Sequence, residues 1–213
     1  MKITKIGHCC LLIEEKGVRI LTDPGTYSTA QNEIKGIDLI LITHEHADHL
    51  HIDSLKQVLK NNPQSKIITN KGVAVLLDKE EINYSLIEDN QKLTFNNILI
   101  EGFGKKHAEM YKTVNPVDNT GYFISNKLFY PGDAFVNPNK KVEILALPVA
   151  GPWMKISEAI DYALEINPKF CFPVHDGILK TPGIVHRLPP TVLSAKGINF
   201  LVIEEGKEKE LDF

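Results

Sequence analysis

The sequence predicts an α/β protein in which two β-sheets are covered by helices. Three observations favour this class. Short apolar runs typical of strands fill the first 43 residues, helical patterns follow between residues 53 and 81, and strands and one further helix alternate from residue 84 onward. The chain of 213 residues is long enough to bury a full core and shows no repeats or linkers, so we expect a single domain over residues 1–213.

The composition argues against several classes of function. A net charge of -3 and a pI near 6.2 create no field that favours nucleic acid or an anionic membrane, so we expect a small-molecule substrate. No run approaches the roughly 18 apolar residues of a membrane span, and the first residues do not resemble a signal peptide. Three cysteines, two of them adjacent, predict reduced thiols in the cytoplasm. Nothing in the sequence indicates an oligomeric state.

The first elements are predicted to be strands. Residues 2–6, 8–15 and 18–23 are short β-leaning runs, with a turn at Gly17 between the last two. Residues 36–43 form a nearly continuous apolar run, which is the pattern of a strand buried on both faces. We therefore expect this fourth strand to lie inside a sheet.

Three segments have the pattern of helices. The first begins near Asp53, a plausible N-cap, and ends before Pro63. The second covers residues 71–81, and the third, over residues 155–168, is the clearest. It carries an apolar stripe that consists of Ile156, Ala159, Ile160, Ala163, Leu164 and Ile166.

Further strands are predicted in the rest of the chain. They cover residues 65–70, 84–88, 92–95, 97–104, 120–126, 127–133, 141–149 and 169–177. A turn at Ser125-Asn126 would join two of these strands in a hairpin. Residues 198–213 are expected to form a last hairpin.

The stretch LILITHEHADHLH, residues 39–51, holds four of the eight histidines of the chain. His44 and His46 lie two residues apart where the strand ends, so both can point to one side and share an ion. Asp48 and His49 follow on a loop and offer an oxygen and a nitrogen to a second ion. Ligands of these types suit zinc, and also iron or manganese.

This stretch differs from a helical zinc motif. H-E-x-x-H would require histidine at position 48, where the chain has Asp48. His51 lies one residue too far along and is predicted to be a solvated residue at the helix entry. The sequence therefore predicts a site at a strand end and the loop that follows.

Three further side chains follow apolar strands. They are His107, Asp133, which comes after Pro131-Gly132, and His175. An α/β scaffold collects residues at the ends of its strands. We therefore predict that these side chains join the histidine stretch at one site.

This pattern resembles the metallo-β-lactamase superfamily over essentially the whole chain. The motif H-x-H-x-D-H, then a histidine, an aspartate in a G-D context and a last histidine carry the resemblance. It implies a four-layer αββα sandwich. Within the superfamily, the short length, Gly7-His8 and the TDPG segment look most like small cytoplasmic hydrolases related to ascorbate-6-phosphate lactonase.

The resemblance also implies a set of ligands for two metal ions. His44, His46 and His107 would bind one ion, while Asp48, His49 and His175 would bind the other, with Asp133 bridging both. Asp23 of TDPG would support the metal-binding loop by hydrogen bonding without binding metal.

Two divalent ions imply a hydrolytic reaction. The ions, zinc or alternatively manganese or iron, would share a water and lower its pKa, and the hydroxide would attack a carbonyl or phosphorus. Asp48 would also orient this hydroxide. The expected function is hydrolysis of a small ester, lactone or phosphoester.

Two other functions stay open at this stage. One is a mononuclear iron dioxygenase that acts on thiols or persulfides, and the other is a metal-binding protein without turnover. His46 stands where oxygen- or nitric-oxide-reducing di-iron relatives tend to have an acid, which favours hydrolysis.

Candidates for substrate binding are His8, Tyr111 and Trp153, although a structural role is also consistent with each. The Cys9 and Cys10 thiols lie in an apolar strand-like run, which favours buried, inert cysteines over a nucleophile.

Overall fold

A computed structural model describes residues 1–211 of the chain. These residues form fourteen strands, four α-helices and two short 3₁₀ helices, at Ala30–Glu33 and Ser194–Lys196. The strands are β1 (Lys2–Gly7), β2 (Cys10–Glu15), β3 (Val18–Thr22), β4 (Leu39–Leu41), β5 (Lys66–Thr69), β6 (Ser85–Leu86), β7 (Lys92–Phe95), β8 (Ile98–Phe103), β9 (Gly121–Ile124), β10 (Leu128–Tyr130), β11 (Ile144–Pro148), β12 (Phe170–Val174), β13 (Asn199–Phe200) and β14 (Glu208–Glu210). The helices are α1 (Ile52–Asn61), α2 (Lys71–Lys79), α3 (Ile156–Ile166) and α4 (Ile184–Leu193).

The strands form two mixed sheets of seven strands each. The first has the order β14-β1-β2-β3-β4-β5-β6, and the second has the order β13-β12-β11-β10-β9-β8-β7. In the first sheet β1, β2 and β3 are antiparallel, whereas β3 to β6 run parallel with helices between them. The second sheet likewise joins antiparallel strands β7 to β10 to parallel strands β10 to β13.

Three hydrophobic clusters separate four layers. The central cluster joins residues of the first sheet, such as Leu39, to residues of the second, such as Ile144. A second cluster packs α3 and α4 on the outer face of the second sheet, and a third packs α1 and α2 on the first. The predicted αββα sandwich is therefore confirmed.

The fourth strand is buried on both faces, as its continuous apolar run predicts. Leu39 and Leu41 belong to the central cluster, whereas Ile40 and Ile42 pack toward α1 and α2. Side chains in a strand alternate between faces, so an apolar residue is needed at every position when both faces are covered. The strand thus carries the histidine stretch out of the interior of the sandwich.

The turns follow the local sequence. Ser125 and Asn126 have φ values of 55° and 55° and join antiparallel strands β9 and β10, which confirms the predicted hairpin. The first predicted helix begins differently, because His51 and not Asp53 occupies the N-cap of α1. Asp53 instead lies in its first turn, where a negative charge suits the helix dipole.

The predicted C-terminal hairpin is wrong. β13 joins the edge of the second sheet beside β12, whereas β14 pairs with β1 at the edge of the first sheet. The two strands therefore close different sheets instead of pairing with each other. Residues 212–213, at the end of that predicted hairpin, lie outside the described residues.

The sequence patterns missed α4. It contains Pro189 and Pro190, which break the usual helical pattern, yet Val185 and Leu193 are buried against the second sheet. Over residues 1–211, no helix is both long and apolar enough to cross a membrane.

Candidate metal centre

Seven predicted side chains meet at the ends of strands from both sheets. His44 follows β4, His107 follows β8, Asp133 follows β10 and His175 follows β12. Asp48 and His49 lie on the loop between β4 and α1. We call the seven the histidine–aspartate cluster, which consists of His44, His46, Asp48, His49, His107, Asp133 and His175.

Three histidines form the first half of the cluster. One ring nitrogen from each of His44, His46 and His107 lies within 4.8 Å of the others. His44 Nε2 is 3.1 Å from His46 Nδ1, and the His107 ring centroid is 4.8 Å from that of His46. His44 and His107 are buried, whereas His46 is half-buried, so this half opens toward solvent through His46.

The second half combines a carboxylate with two histidines. His175 Nε2 lies 3.3 Å from Asp48 Oδ2, and His49 Nε2 lies 3.9 Å from the same oxygen. His49 and His175 are buried, and the Asp48 side chain is 21% exposed. Asp48 is therefore the member of this half that a solvent-borne molecule can reach.

Asp133 touches both halves. Its Oδ1 is 3.2 Å from His49 Nε2, while its Oδ2 is 2.8 Å from His175 Nε2 and 3.4 Å from His107 Nε2. A carboxylate between two groups of nitrogen donors has the position that a bridging ligand requires. The ligand roles of the seven residues stay predictions, and the structure brings all seven together.

Hydrogen bonds fix three of the imidazoles in one tautomer. Thr43 Oγ1 donates to Asp23 Oδ2, so it must accept from His44 Nδ1 at 3.0 Å. His49 Nδ1 donates to Asp23 Oδ2 at 2.7 Å, and His107 Nδ1 donates to the Ala108 carbonyl at 2.6 Å. Each ring therefore uses Nδ1 as an outward donor and turns Nε2 toward the cluster, which is the arrangement of a metal-binding histidine.

The buried polar atoms of the cluster lack other partners. His49 Nε2, Asp133 Oδ1 and His175 Nε2 are inaccessible to solvent and make no hydrogen bond among the described residues. Leaving such atoms unpaired in a protein interior costs free energy. Imidazole nitrogens and carboxylate oxygens suit divalent ions such as zinc, so the residues fit a metal.

The electrostatics differ between members of the cluster. Despite burial, the nearby Cys9 and Asp133 raise the pKa of His49 well above its usual value and that of His175 to about 10, whereas Asp133 and His44 are held in their metal-binding forms. Burial would raise the pKa of the Asp133 carboxyl, but His49, His107 and His175 outweigh it and hold this pKa well below its usual range. Burial and the nearby His49 hold the pKa of His44 well below its usual value. Asp133 is thus ionised and His44 neutral, as metal ligands must be.

Asp23 contacts the cluster from the interior of the protein through hydrogen bonds. It is fully buried and accepts hydrogen bonds from the Thr43 amide at 2.8 Å and the Tyr130 hydroxyl at 2.7 Å, besides those from the Thr43 hydroxyl and His49. These are hydrogen bonds of the kind that the resemblance implies for Asp23, and its supporting role stays a prediction. They also fix Thr43, the residue that precedes His44.

Two glycines permit the close packing of the loops. A Cβ on Gly25 would lie 1.8 Å from the Asp48 carbonyl oxygen, so only glycine lets TDPG pass beneath the metal-binding loop. Gly132 has a φ of 65°, which favours glycine and turns the chain so that Asp133 reaches the cluster.

His8 contacts the second half directly. The Gly177 amide donates to His8 Nδ1 at 3.1 Å, so the ring proton is on Nε2, which lies 3.2 Å from Asp48 Oδ2. The ring is buried and packs against His175, with 4.2 Å between ring centroids. His8 therefore orients Asp48, while its predicted role in binding substrate stays a prediction.

The other two substrate-binding candidates differ in position. Trp153 is nearly buried and donates from Nε1 to Asp133 Oδ2 at 3.0 Å, with its ring centroid 5.7 Å from that of His107. Tyr111 is 66% exposed on the loop that follows His107. Trp153 thus borders the cluster, and Tyr111 is open to solvent.

His51 and Cys9 lie near the cluster without belonging to the seven predicted ligands. His51 is half-buried at the N-cap of α1, with Nδ1 2.9 Å from Ser54 Oγ, and it does not belong to the histidine–aspartate cluster. Cys9, which the sequence suggested only as an inert core residue, lies close to His8, His49 and His175. Only its position beside His8 in the sequence could have indicated that Cys9 lies near the cluster.

Two facing mixed sheets, outer helices and a histidine–aspartate cluster at the strand ends define the metallo-β-lactamase class of protein. Residues 2–175 match the model of the beta-lactamase superfamily domain. The chain therefore belongs to the metallo-β-lactamase superfamily, which confirms the resemblance.

Relatives with similar sequences cover most of the chain. Protein Rv0786c of Mycobacterium tuberculosis is 34% identical over 184 residues, which is 84% of this chain and 85% of that protein. A UPF0173 metal-dependent hydrolase of Carboxydothermus hydrogenoformans is 25% identical over 200 residues, which is 82% of this chain and 84% of that protein.

Solved structures agree with the fold. A crystal structure from Parabacteroides distasonis has a TM-score of 0.79 and 25% identity, covering 95% of this chain and 92% of its own. Igni18 of Ignicoccus hospitalis, described as a metallo hydrolase, has a TM-score of 0.78 and 22% identity, covering 100% of this chain and 98% of its own. The likeness to Igni18 is one of fold.

Proposed function

We propose that this chain is a metal-dependent hydrolase that holds two divalent ions and cleaves a small ester, lactone or phosphoester. Its superfamily and the relatives named as metal-dependent hydrolases support the class. The observation that carries the proposal is the set of three buried imidazoles, each with Nδ1 donating outward and Nε2 turned toward the cluster.

The two halves of the cluster would each hold one ion. His44, His46 and His107 supply three nitrogens to the first, and Asp48, His49 and His175 supply a mixed set to the second. Asp133 lies within 3.4 Å of nitrogens from both halves and would bridge them. Nitrogen and carboxylate donors favour zinc, with manganese or iron as alternatives.

Bound ions would lower the pKa of a shared water to supply hydroxide, and would polarise the bond that is cleaved. The chain's own residues orient this chemistry. His8 holds a proton on Nε2 and directs it at Asp48, which fixes that carboxylate facing the open side of the cluster. Trp153 fixes Asp133 in the same way through Nε1.

Substrate would approach from the side of the two exposed members. His46 is half-buried and Asp48 is 21% exposed, whereas the other five members are buried. Tyr111 stands on the loop after His107, where its exposed ring can contact a bound substrate. His8 borders the cluster at Asp48, and Trp153 borders it at Asp133.

The chemical class to test first is a lactone, including a phosphorylated one. The short chain, Gly7-His8 and TDPG support a place among small hydrolases related to ascorbate-6-phosphate lactonase. A net charge of -3 supports a small molecule over nucleic acid, and three unpaired cysteines support action in the cytoplasm.

The test is a substrate screen of protein loaded with zinc or manganese, using lactones, thioesters, phosphomonoesters and phosphodiesters. We expect hydrolysis of one class by the wild type and its loss in Asp133→Asn, with Asp161→Asn on the surface of α3 as the matched control.

Other outcomes would contradict the proposal. One iron per chain with oxygen uptake on thiols or persulfides would indicate the dioxygenase. Two bound ions without turnover of any of these classes would indicate a metal-binding protein.

A further inference from the structure

Cys9 is buried beside the second half of the histidine–aspartate cluster. It follows His8 at the turn between β1 and β2 and is 1% exposed. Its Sγ and one nitrogen from each of His8, His49 and His175 all lie within 4.8 Å of one another. A soft sulfur donor thus lies beside two of the residues that would hold the second ion, His49 and His175.

The backbone of Cys9 is held by the hydrogen-bond network that supports the cluster. Its carbonyl accepts from Thr22 Oγ1 at 2.9 Å and lies 2.9 Å from the Tyr130 hydroxyl. The same hydroxyl lies 2.7 Å from Asp23, which in turn binds His49. Cys9 is therefore fixed relative to His49.

The neighbouring ring nitrogens provide independent evidence for a ligand here. His49 Nε2 and both ring nitrogens of His175 are buried and lack hydrogen-bond partners in the described part of the chain. These histidines belong to the same four-residue group as Cys9. One nitrogen of each ring therefore lies near the Cys9 sulfur, and neither nitrogen of His175 has a hydrogen bond that would compete for it.

Cys9 would bind a metal ion as the thiolate. Its thiol proton would leave to solvent when the metal binds, as metal binding by a cysteine requires.

We propose that Cys9 Sγ is a thiolate ligand of the second ion, beside Asp48, His49 and His175. This role rests on the proposed two-metal function. Thiolate ligands favour zinc over manganese, so Cys9 would set the metal preference of the second half.

The chain provides its own matched control. Cys10 is also 1% exposed and is adjacent in sequence, but it packs in the cluster between the first sheet and its helices. Cys9 instead belongs to the central cluster between the sheets. Replacing Cys10 removes an equally buried thiol without touching the histidine–aspartate cluster.

The experiment is cobalt titration of the wild type, Cys9→Ser and Cys10→Ser under reducing conditions. We expect a near-ultraviolet thiolate-to-cobalt charge-transfer band in the wild type and Cys10→Ser, and its loss in Cys9→Ser. Zinc competition with a chelator should show at least about tenfold weaker binding of one zinc ion in Cys9→Ser. The affinity for manganese should fall less.

A second measurement does not depend on the folding of a variant. X-ray absorption of the zinc-loaded wild type should show a zinc–sulfur distance of about 2.3 Å. Two cobalt ions bound without a charge-transfer band, or a band that persists in Cys9→Ser, would overturn the role of Cys9 and leave the two-metal function intact. Failure of the wild type to bind cobalt or zinc would instead contradict the two-metal function itself.

Discussion

The two halves of the histidine–aspartate cluster are built differently although they share Asp133. The first consists of imidazoles whose outward contacts are local, to Thr43 beside His44 and to the Ala108 carbonyl beside His107. The second is contacted directly by His8 and Asp23, which follow β1 and β3. Asp23 reaches the first half only through Thr43, so the second half depends more directly on residues that are distant in the sequence.

This difference separates what each half contributes. The second half contains an anionic ligand of its own, Asp48, and has direct support from His8 and Asp23. The first reaches solvent through His46 and would be the more readily altered by local change. We therefore expect the loss of metal binding and activity to decrease in order, from variants of Asp133, which contacts both halves, through Asp23, which supports the second half, to Trp153, which borders the cluster.

The largest effect is expected from Asp133→Asn, because Asp133 contacts nitrogens of both halves. Both ions should bind more weakly and hydrolysis should fall by more than about 100-fold, beyond the usual effect of removing a supporting contact. Metal content per chain and the initial rate measure this. Retention of both ions and of full activity would show that Asp133 does not bridge the halves.

Metal removal should destabilise the fold next most strongly. Zinc at 100 times its Kd would add about 2.7 kcal/mol to the free energy of unfolding. For a chain of this size, that corresponds to roughly 5–10 °C in Tm. Thermal unfolding with zinc and with a chelator measures the shift. It should be smaller in His175→Ala than in His46→Ala, because the second half supplies the anionic ligand Asp48 and would bind its ion more tightly. Equal shifts in both variants would remove this distinction.

Asp23→Asn should weaken one half selectively. The variant loses the carboxylate that orients His49, so affinity for the second ion should fall about 10–100-fold while the first ion changes less. Chelator competition resolves the two affinities. Asp38→Asn is the matched control, because Asp38 also accepts a backbone hydrogen bond, from Arg19, but lies away from the cluster. Equal weakening of both ions in Asp23→Asn would contradict the selective role.

The smallest effect is expected from Trp153→Phe, which keeps an aromatic ring but removes the hydrogen bond to Asp133. Loss of one hydrogen bond to a charged group should lower the rate about tenfold. Steady-state kinetics should show whether kcat or KM carries the change. An unchanged rate would assign Trp153 to packing alone.

Sequence patterns predicted which candidate ligands meet in the fold better than they predicted the residues that contact those candidates. The candidates are histidines and aspartates directly after apolar strands, and strand ends in an α/β fold meet in space. The contacts of Cys9 and Tyr130 could not be predicted, because they depend on how the two sheets face each other. The relatives agree with the predicted class, while the number and identity of the ions stay predictions.

The errors in the fold have a similar cause. β13 and β14 are short, and their sequences do not encode which sheet edge they join, so a local hairpin was the simpler expectation. In α4, Pro189 and Pro190 break the helical pattern, and burial against the second sheet compensates for them. Tertiary packing therefore determines the pairing of β13 and β14 and the formation of α4.

The most direct test is the metal content of the wild type, His46→Ala and His175→Ala, each purified without added metal and then loaded with zinc. We expect two ions per chain in the wild type and one in each variant, with the remaining ion in the intact half. One ion per chain in the wild type, with no change in His46→Ala or in His175→Ala, would contradict a cluster built from two metal-binding halves.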